Sequence, residues 1–301
     1  MLQLALRRSM FPLLLLCFPF LLRAEHADAD TDQGHRFFEQ RAFRAGRFWV
    51  GDEDSVKASP SGSLPIIIES DRGQRVFGSE GHHTTILGLQ FLQQTIKEGD
   101  TVIDYGTGTG IQAIGALRLG AESALAVDID HEAVDLAERN AGHNGVGERL
   151  EARLAQNIDG TEGPFDVCIA NILPGVLINM ASHLALYVKP GGTIGLTGLK
   201  KRDIRNVKAA FAKDFEFEHE HLELGADAHL PEWSTKWGDQ KDWVLLKATR
   251  TSRKVDHAHM SAHAHGERSE VQILTIRNAV IALVLLLIMT FVPRMGKLKE
   301  S

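Results

Sequence analysis

The stretch "VIDYGTGTGIQAIGALRLG", residues 102–120, restricts the possible folds of this chain more than any other. A short apolar run ends at Asp104, turns through Gly106, Gly108 and Gly110, and continues in a helical pattern. A glycine-rich turn between a strand and a helix lets a ligand approach the backbone closely, and it is a feature of open parallel sheets. The dinucleotide fingerprint spaces its glycines G-x-G-x-x-G. Here the spacing is G-x-G-x-G, and Ile111 stands where that fingerprint has its third glycine. The turn therefore suits a nucleoside with an amino-acid tail better than a pyrophosphate. An ammonium group on such a tail needs a nearby carboxylate, and Asp104 offers one.

The surrounding pattern fits an α/β fold. Apolar runs at 101–105, 124–128, 150–155, 165–170 and 193–197 alternate with helical stretches such as 132–143. That alternation predicts a parallel sheet with crossover helices. "LPIIIES" is a further strand candidate. "DFEFEHEHLEL" and "DWVLLKA" come last, close enough to make an antiparallel pair at the sheet edge. The net charge of -6 and the lack of a central basic block argue against nucleic acid as a partner. The two cysteines, Cys17 and Cys168, provide no disulfide framework. Cys168 reads as a small buried thiol. No metal is expected, and the histidines of 249–270 read as part of a flexible stalk.

Two further positions extend the turn into a site. "ALAVDID" ends a strand at Asp128, 22 residues past Gly106. An acid at that tip can accept hydrogen bonds from two ribose hydroxyls. Asp130 lies beyond the tip and reads as a helix cap. Turn, acid and strand order together point to S-adenosylmethionine, with no binding of NAD expected. "FDVCIANILPG" then places Asn171 just past the fourth strand, beside the donor methyl. Its amide oxygen, with a neighbouring backbone carbonyl, can accept hydrogen bonds from a substrate amine and so aim the nitrogen lone pair. A loop-capping Asn is the alternative.

"FGSEGHHTT", "VIDYGTGTGIQAIGALRLGA", "AVDIDHEAVDLAERNAGHNGV", "ANIL" and "VKPGGTIGLTG" follow one another at a characteristic spacing. As a set they resemble the bacterial family that methylates a large-subunit ribosomal stalk protein on lysine and N-terminal amines. The resemblance covers about residues 77–250. It implies a class I methyltransferase, Rossmann-like, with a seven-stranded mostly parallel sheet, helices on both faces and an antiparallel last strand. It also implies cofactor contacts at Thr85, Gly106, Asp128 and Asn171. The family's first motif reads Phe-Gly-Thr-Gly-Thr-His-Pro-Thr-Thr, so Ser79, Glu80, Gly81 and His83 depart from it. His82 or Glu80 could take a proton from the amine, although a loop-structuring role for His82 is as reasonable. The family's N-terminal substrate-recognition domain has no obvious counterpart here.

The ends of the chain read differently. Residues 1–24 look like a signal peptide or N-terminal anchor, with Arg7 and Arg8 before a continuous apolar run. Residues 25–76 read as a polar leader with little structure. Residues 77–250 form the methyltransferase domain and 251–270 a His-containing linker. Residues 271–292 would make roughly 33 Å of helix, enough to cross a membrane. Residues 293–301 form a basic tail ending in "KLKES", similar to a dilysine retrieval signal. These features lead to an endoplasmic-reticulum membrane protein with a lumenal catalytic domain. The expected function is S-adenosylmethionine-dependent N-methylation of a protein lysine or N-terminal amine, with Asn171 as catalytic residue. Asp104, Gly106, Gly108, Asp128, Asn171 and Thr85 are the expected cofactor contacts. A small-molecule methyltransferase and a catalytically silent S-adenosylmethionine-binding module are the alternatives.

Overall fold

A computed structural model describes residues 42–69, 81–224 and 239–252 of the chain. The chain divides into two units, residues 1–250 and 251–301, and apart from residues 251 and 252 the description concerns the first. Residues 1–24, the linker after residue 252 and the 271–292 segment lie outside the described residues. Among the described residues no helix is long and apolar enough to cross a membrane.

The central sheet is built from β4 (Thr101–Tyr105), β5 (Ser123–Asp128), β6 (Leu150–Leu154), β7 (Phe165–Asn171), β8 (Val188–Lys200), β9 (Phe215–Phe217), β10 (Leu222–Glu223) and β11 (Trp243–Arg250). Its order is β10-β11-β8-β7-β4-β5-β6. The strands from β8 to β6 are mutually parallel, and β11 is antiparallel to β8. Both β9 and β10 pair with β11, at different points along it. Eight strands therefore occupy seven lanes, because the two short ones share the outermost lane. This is the class I methyltransferase arrangement, antiparallel strand included, and the edge pair expected from sequence is present.

Helices cover both faces. They are α2 (His83–Thr95), α3 (Ile111–Arg118), α4 (His131–His143), α5 (Pro174–Leu186) and α6 (Ile204–Phe211). The pleat divides the strand residues between two cores. Val102, Ala124, Ala126, Val167 and Ile169 join Ile86, Leu89 and Ile114 of α2 and α3 in one cluster. Ile103, Leu125, Val127, Cys168 and Ala170 join Leu177, Leu184 and Tyr187 in the other. Period-two burial on both faces is what a sheet wrapped by crossover helices requires. Cys168 is a free, fully buried thiol, as its apolar context predicts.

The reading of 25–76 as a leader with little structure is corrected over its described part. Residues β1 (Phe43–Ala45), β2 (Phe48–Gly51) and β3 (Leu64–Ile67) make a three-stranded sheet, with the short helix α1 (Glu53–Lys57) between β2 and β3. Phe43, Phe48, Val50 and Ile66 are buried in the same core as α2 and α3. Alternation in "FRAGRFWVG" supplies that apolar face, in strands too short to stand out. The sheet is fastened by side chains of α4 and its C-cap. Asn144 Oδ1 accepts from the Ile67 N–H at 2.9 Å, and its Nδ2 donates to the Ile67 carbonyl at 2.7 Å. Asn140 Oδ1 accepts from the Glu69 N–H at 2.8 Å, while its Nδ2 donates to the Thr109 carbonyl at 2.8 Å.

Candidate functional site

The strand order reverses between β4 and β7. In open parallel sheets the ligand crevice opens at the carboxyl ends of the strands beside such a reversal. The glycine turn leaves β4 there. Gly106, Gly108 and Gly110 all have positive φ, at 83°, 53° and 80°. A Cβ on Gly106 would strike the Ile172 side chain, and one on Gly110 would lie 3.0 Å from Ala137 on α4. Backbone sign and close approach together make these positions glycine.

The pleat brings the predicted acids and Asn171 to one face. Asp104 is two residues from Val102, Asp128 is two from Ala126, and Asn171 is two from Ile169. Asp104 and Ile169 are register partners. Successive side chains alternate across a strand. All three therefore point to the face that α2 and α3 cover, at the carboxyl ends of three neighbouring strands. Thr85 is buried in the first turn of α2, one of the helices that cover that face.

Each residue has a distinct setting. Asp128 Oδ2 accepts from the Gly108 N–H at 2.9 Å, and Oδ1 accepts from the Asp130 N–H at 3.1 Å. The carboxylate thus holds the glycine turn and keeps acceptor capacity on both oxygens. Asp130 is the N-cap of α4, accepting from the Glu132 N–H at 3.0 Å, as expected. Asn171 closes β7, opposite Thr197 of β8. Its Oδ1 is buried with no hydrogen-bond partner among the described residues. A loop cap working through that oxygen would have one, and none is present among the described residues. Thr85 is fully buried, and its hydroxyl is likewise unpartnered among the described residues.

Asp104 is 1% exposed. Its Oδ2 accepts from Thr107 Oγ1 at 2.8 Å and from the Ala113 N–H at 3.1 Å, while Oδ1 has no partner among the described residues. Burial pushes its pKa up to about 7 against the pull of those two hydrogen bonds, with Asp128 adding a smaller upward push. An acid whose folded pKa lies above its unfolded one binds protons on folding. Its stabilisation is complete below about pH 4 and is lost as pH rises to about 7. Without ligand, the protein should therefore lose urea resistance between pH 5 and 7.5, and Asp104→Asn should flatten that slope. Each pKa unit corresponds to about 1.4 kcal/mol, so the difference is within reach of denaturation curves. Parallel profiles for the two proteins would contradict this.

His82 is the N-cap of α2. Its Nδ1 accepts from the Thr84 N–H at 3.2 Å and lies 2.8 Å from Thr84 Oγ1, and its ring meets Trp243 edge-on with centroids 4.8 Å apart. The loop-structuring role accounts for it, and the proton-acceptor role does not fit a capping nitrogen. Glu80 lies outside the described residues. The sequence reading missed two side chains. His83 is 1% exposed, with both ring nitrogens unpartnered among the described residues, and burial lowers its pKa. Gln112 is 2% exposed, and neither amide atom has a partner among the described residues. A buried unsatisfied group costs about 1–3 kcal/mol. A polar side chain in the buried first turn after the glycines was the signal available for Gln112.

Acceptors and donors at Asp104, Asn171, Thr85 and Gln112 that have no partner among the described residues, beside a bared glycine turn and an acid with acceptor capacity left, suit a nucleoside carrying an amino-acid tail. Residues 43–229 match the model of the ribosomal protein L11 methyltransferase family. A ribosomal protein L11 methyltransferase of Cupriavidus metallidurans is 36% identical over 193 residues, which cover 64% of this chain and 56% of that protein. One from Burkholderia orbicola is 36% identical over 185 residues, covering 62% and 54%. The chain thus spans just over half the length of the curated relatives it matches. The crystal structure of a ribosomal protein L11 methylase from Lactobacillus delbrueckii subsp. bulgaricus superposes with a TM-score of 0.57. It is 26% identical, over 70% of this chain and 99% of that one. These relatives overturn the reading of a signal-bearing, membrane-spanning reticulum protein. They are bacterial methyltransferases named for a ribosomal protein. The lumenal localisation does not hold, and a membrane partnership through the C-terminal segment finds no support.

Proposed function

The chain belongs to the ribosomal protein L11 methyltransferase family, and on that premise we propose that it is an S-adenosylmethionine-dependent N-methyltransferase acting on a lysine or N-terminal amine of a protein. The observation that carries the proposal is the buried Oδ1 of Asn171, unpartnered among the described residues, at the carboxyl end of β7 on the same face as Asp104 and Asp128. The bound cofactor supplies an electrophilic methyl on a sulfonium. Asp128 and the glycine turn hold its nucleoside, and Asp104 with Thr85 faces its amino-acid end.

Asn171 would do the work on the acceptor side. Its amide oxygen accepts from the amine N–H and takes no proton itself, which fixes the direction of the nitrogen lone pair. Amide and donor are held by neighbouring strands of one sheet, so positioning provides most of the rate. Burial of the acceptor keeps water from competing for it. Ile129, Leu173 and Val176, the exposed large apolar side chains among the described residues, follow Asp128 and Asn171 closely in the chain. They give the mouth of the site an apolar lip, against which the methylene stem of a lysine can lie.

Purified protein incubated with methyl-labelled cofactor should label bacterial ribosomal protein L11 or another protein on base-stable amines. Label appearing only in small molecules, with protein fractions blank, would overturn the proposed substrate class.

A further inference from the structure

Gln112 is a polar side chain where packing alone would favour an apolar one. It sits in the first turn of α3, next to Ala113, whose N–H is bonded to Asp104. Its amide is pressed against α2, where a Cβ on Gly88 would lie 2.9 Å from Gln112 Cδ and closer still to Nε2. Gly88 is three residues past Thr85, so the two share one side of α2. The amide of Gln112 thus lies against the second turn of α2, on the side that Thr85 occupies one turn nearer the N-terminus. Both are more than nine-tenths buried and unpartnered among the described residues. Asp104 Oδ1, also unpartnered among the described residues, is on the same face of the sheet.

Thr85 is in the first turn of α2 and Gln112 in the first turn of α3, and a helix N-terminus favours an anion. A primary amide can also serve both halves of a zwitterion, donating through nitrogen and accepting through oxygen. We infer that Gln112 is a cofactor-binding residue, its Nε2 donating, beside the Thr85 hydroxyl, to the carboxylate of the cofactor's amino-acid end. Asp104 Oδ1 then receives the neighbouring ammonium. This rests on the cofactor reading above. It adds a residue that neither the glycine turn nor the ribose acid implies, and it explains why α2 carries glycine at position 88.

Calorimetry on the full chain with two probes tests it. S-adenosylhomocysteine has the amino-acid end, whereas methylthioadenosine has the same nucleoside and sulfur without it. Gln112→Leu should weaken S-adenosylhomocysteine about tenfold or more. It should leave methylthioadenosine unchanged, and the unliganded variant should unfold at no lower temperature. Gln112→Glu keeps the shape but repels a carboxylate, so its loss should be greater and equally selective. Unchanged S-adenosylhomocysteine affinity in both variants would make the amide a space-filler, and equal losses for both probes would mean general damage to the pocket. Either result overturns the inference while leaving the cofactor reading intact. A wild-type protein that binds neither probe overturns both.

Discussion

Asn171→Ala should lower kcat by about a hundredfold or more, because positioning terms commonly amount to several kcal/mol of the barrier. Its Oδ1 is the acceptor that closes β7, buried and unpartnered among the described residues, on the face shared with Asp104 and Asp128. Removing it leaves the amine free to rotate, and no neighbour on the strand replaces it. Asn171→Asp keeps the shape but adds a charge that would hold a lysine amine protonated, so it should lose most turnover as well. Cofactor affinity should fall by less than in the Asp128 variant below. Single-turnover methyl transfer and calorimetry on the same preparations separate the two effects. Near-wild-type transfer by Asn171→Ala would move the nucleophile site elsewhere.

Asp128→Ala should weaken S-adenosylmethionine binding by about 2–4 kcal/mol, or roughly thirty- to a thousandfold in Kd. The carboxylate has two tasks. It accepts the Gly108 N–H, which shapes the turn, and it has acceptor capacity left for ribose hydroxyls. Alanine loses both, and the Gly108 N–H loses its acceptor. Asp128→Asn retains one oxygen and should lose less. NAD should not bind to either protein. Unchanged affinity in Asp128→Ala, or tight binding of NAD by the wild type, would refute the ribose assignment.

The candidate site was legible in the sequence where a residue type marks a fixed place in the sheet. Asp128 ends a strand, Asn171 ends another, and three glycines spaced by single residues leave few backbone paths between β4 and α3. Period-two patterning then predicts that Asp104, Asp128 and Asn171 share a face once the strand order is known. Gln112 was harder to see, because the faces of α3 are assigned only when α2 packs on it. The roles of His82 depended on a hydrogen bond within its own turn. Strands of three or four residues, as in β1 to β3, present too few alternations to separate from a polar leader. The joint lane of β9 and β10 is set by where each meets β11, which local sequence does not encode. The apolar ends carried a strong compositional signal that pointed away from the family the rest of the chain joins.

Asn140 has a practical consequence for cutting the gene. One side chain clasps the Glu69 N–H at the end of the first sheet and the Thr109 carbonyl within the glycine turn. A recombinant fragment begun at residue 77, where the resemblance to the family starts, would discard the first sheet. It would leave Asn140 holding the turn with one hand and nothing in the other. A fragment begun before Phe43 keeps the clasp whole and is the better choice for crystallisation or titration.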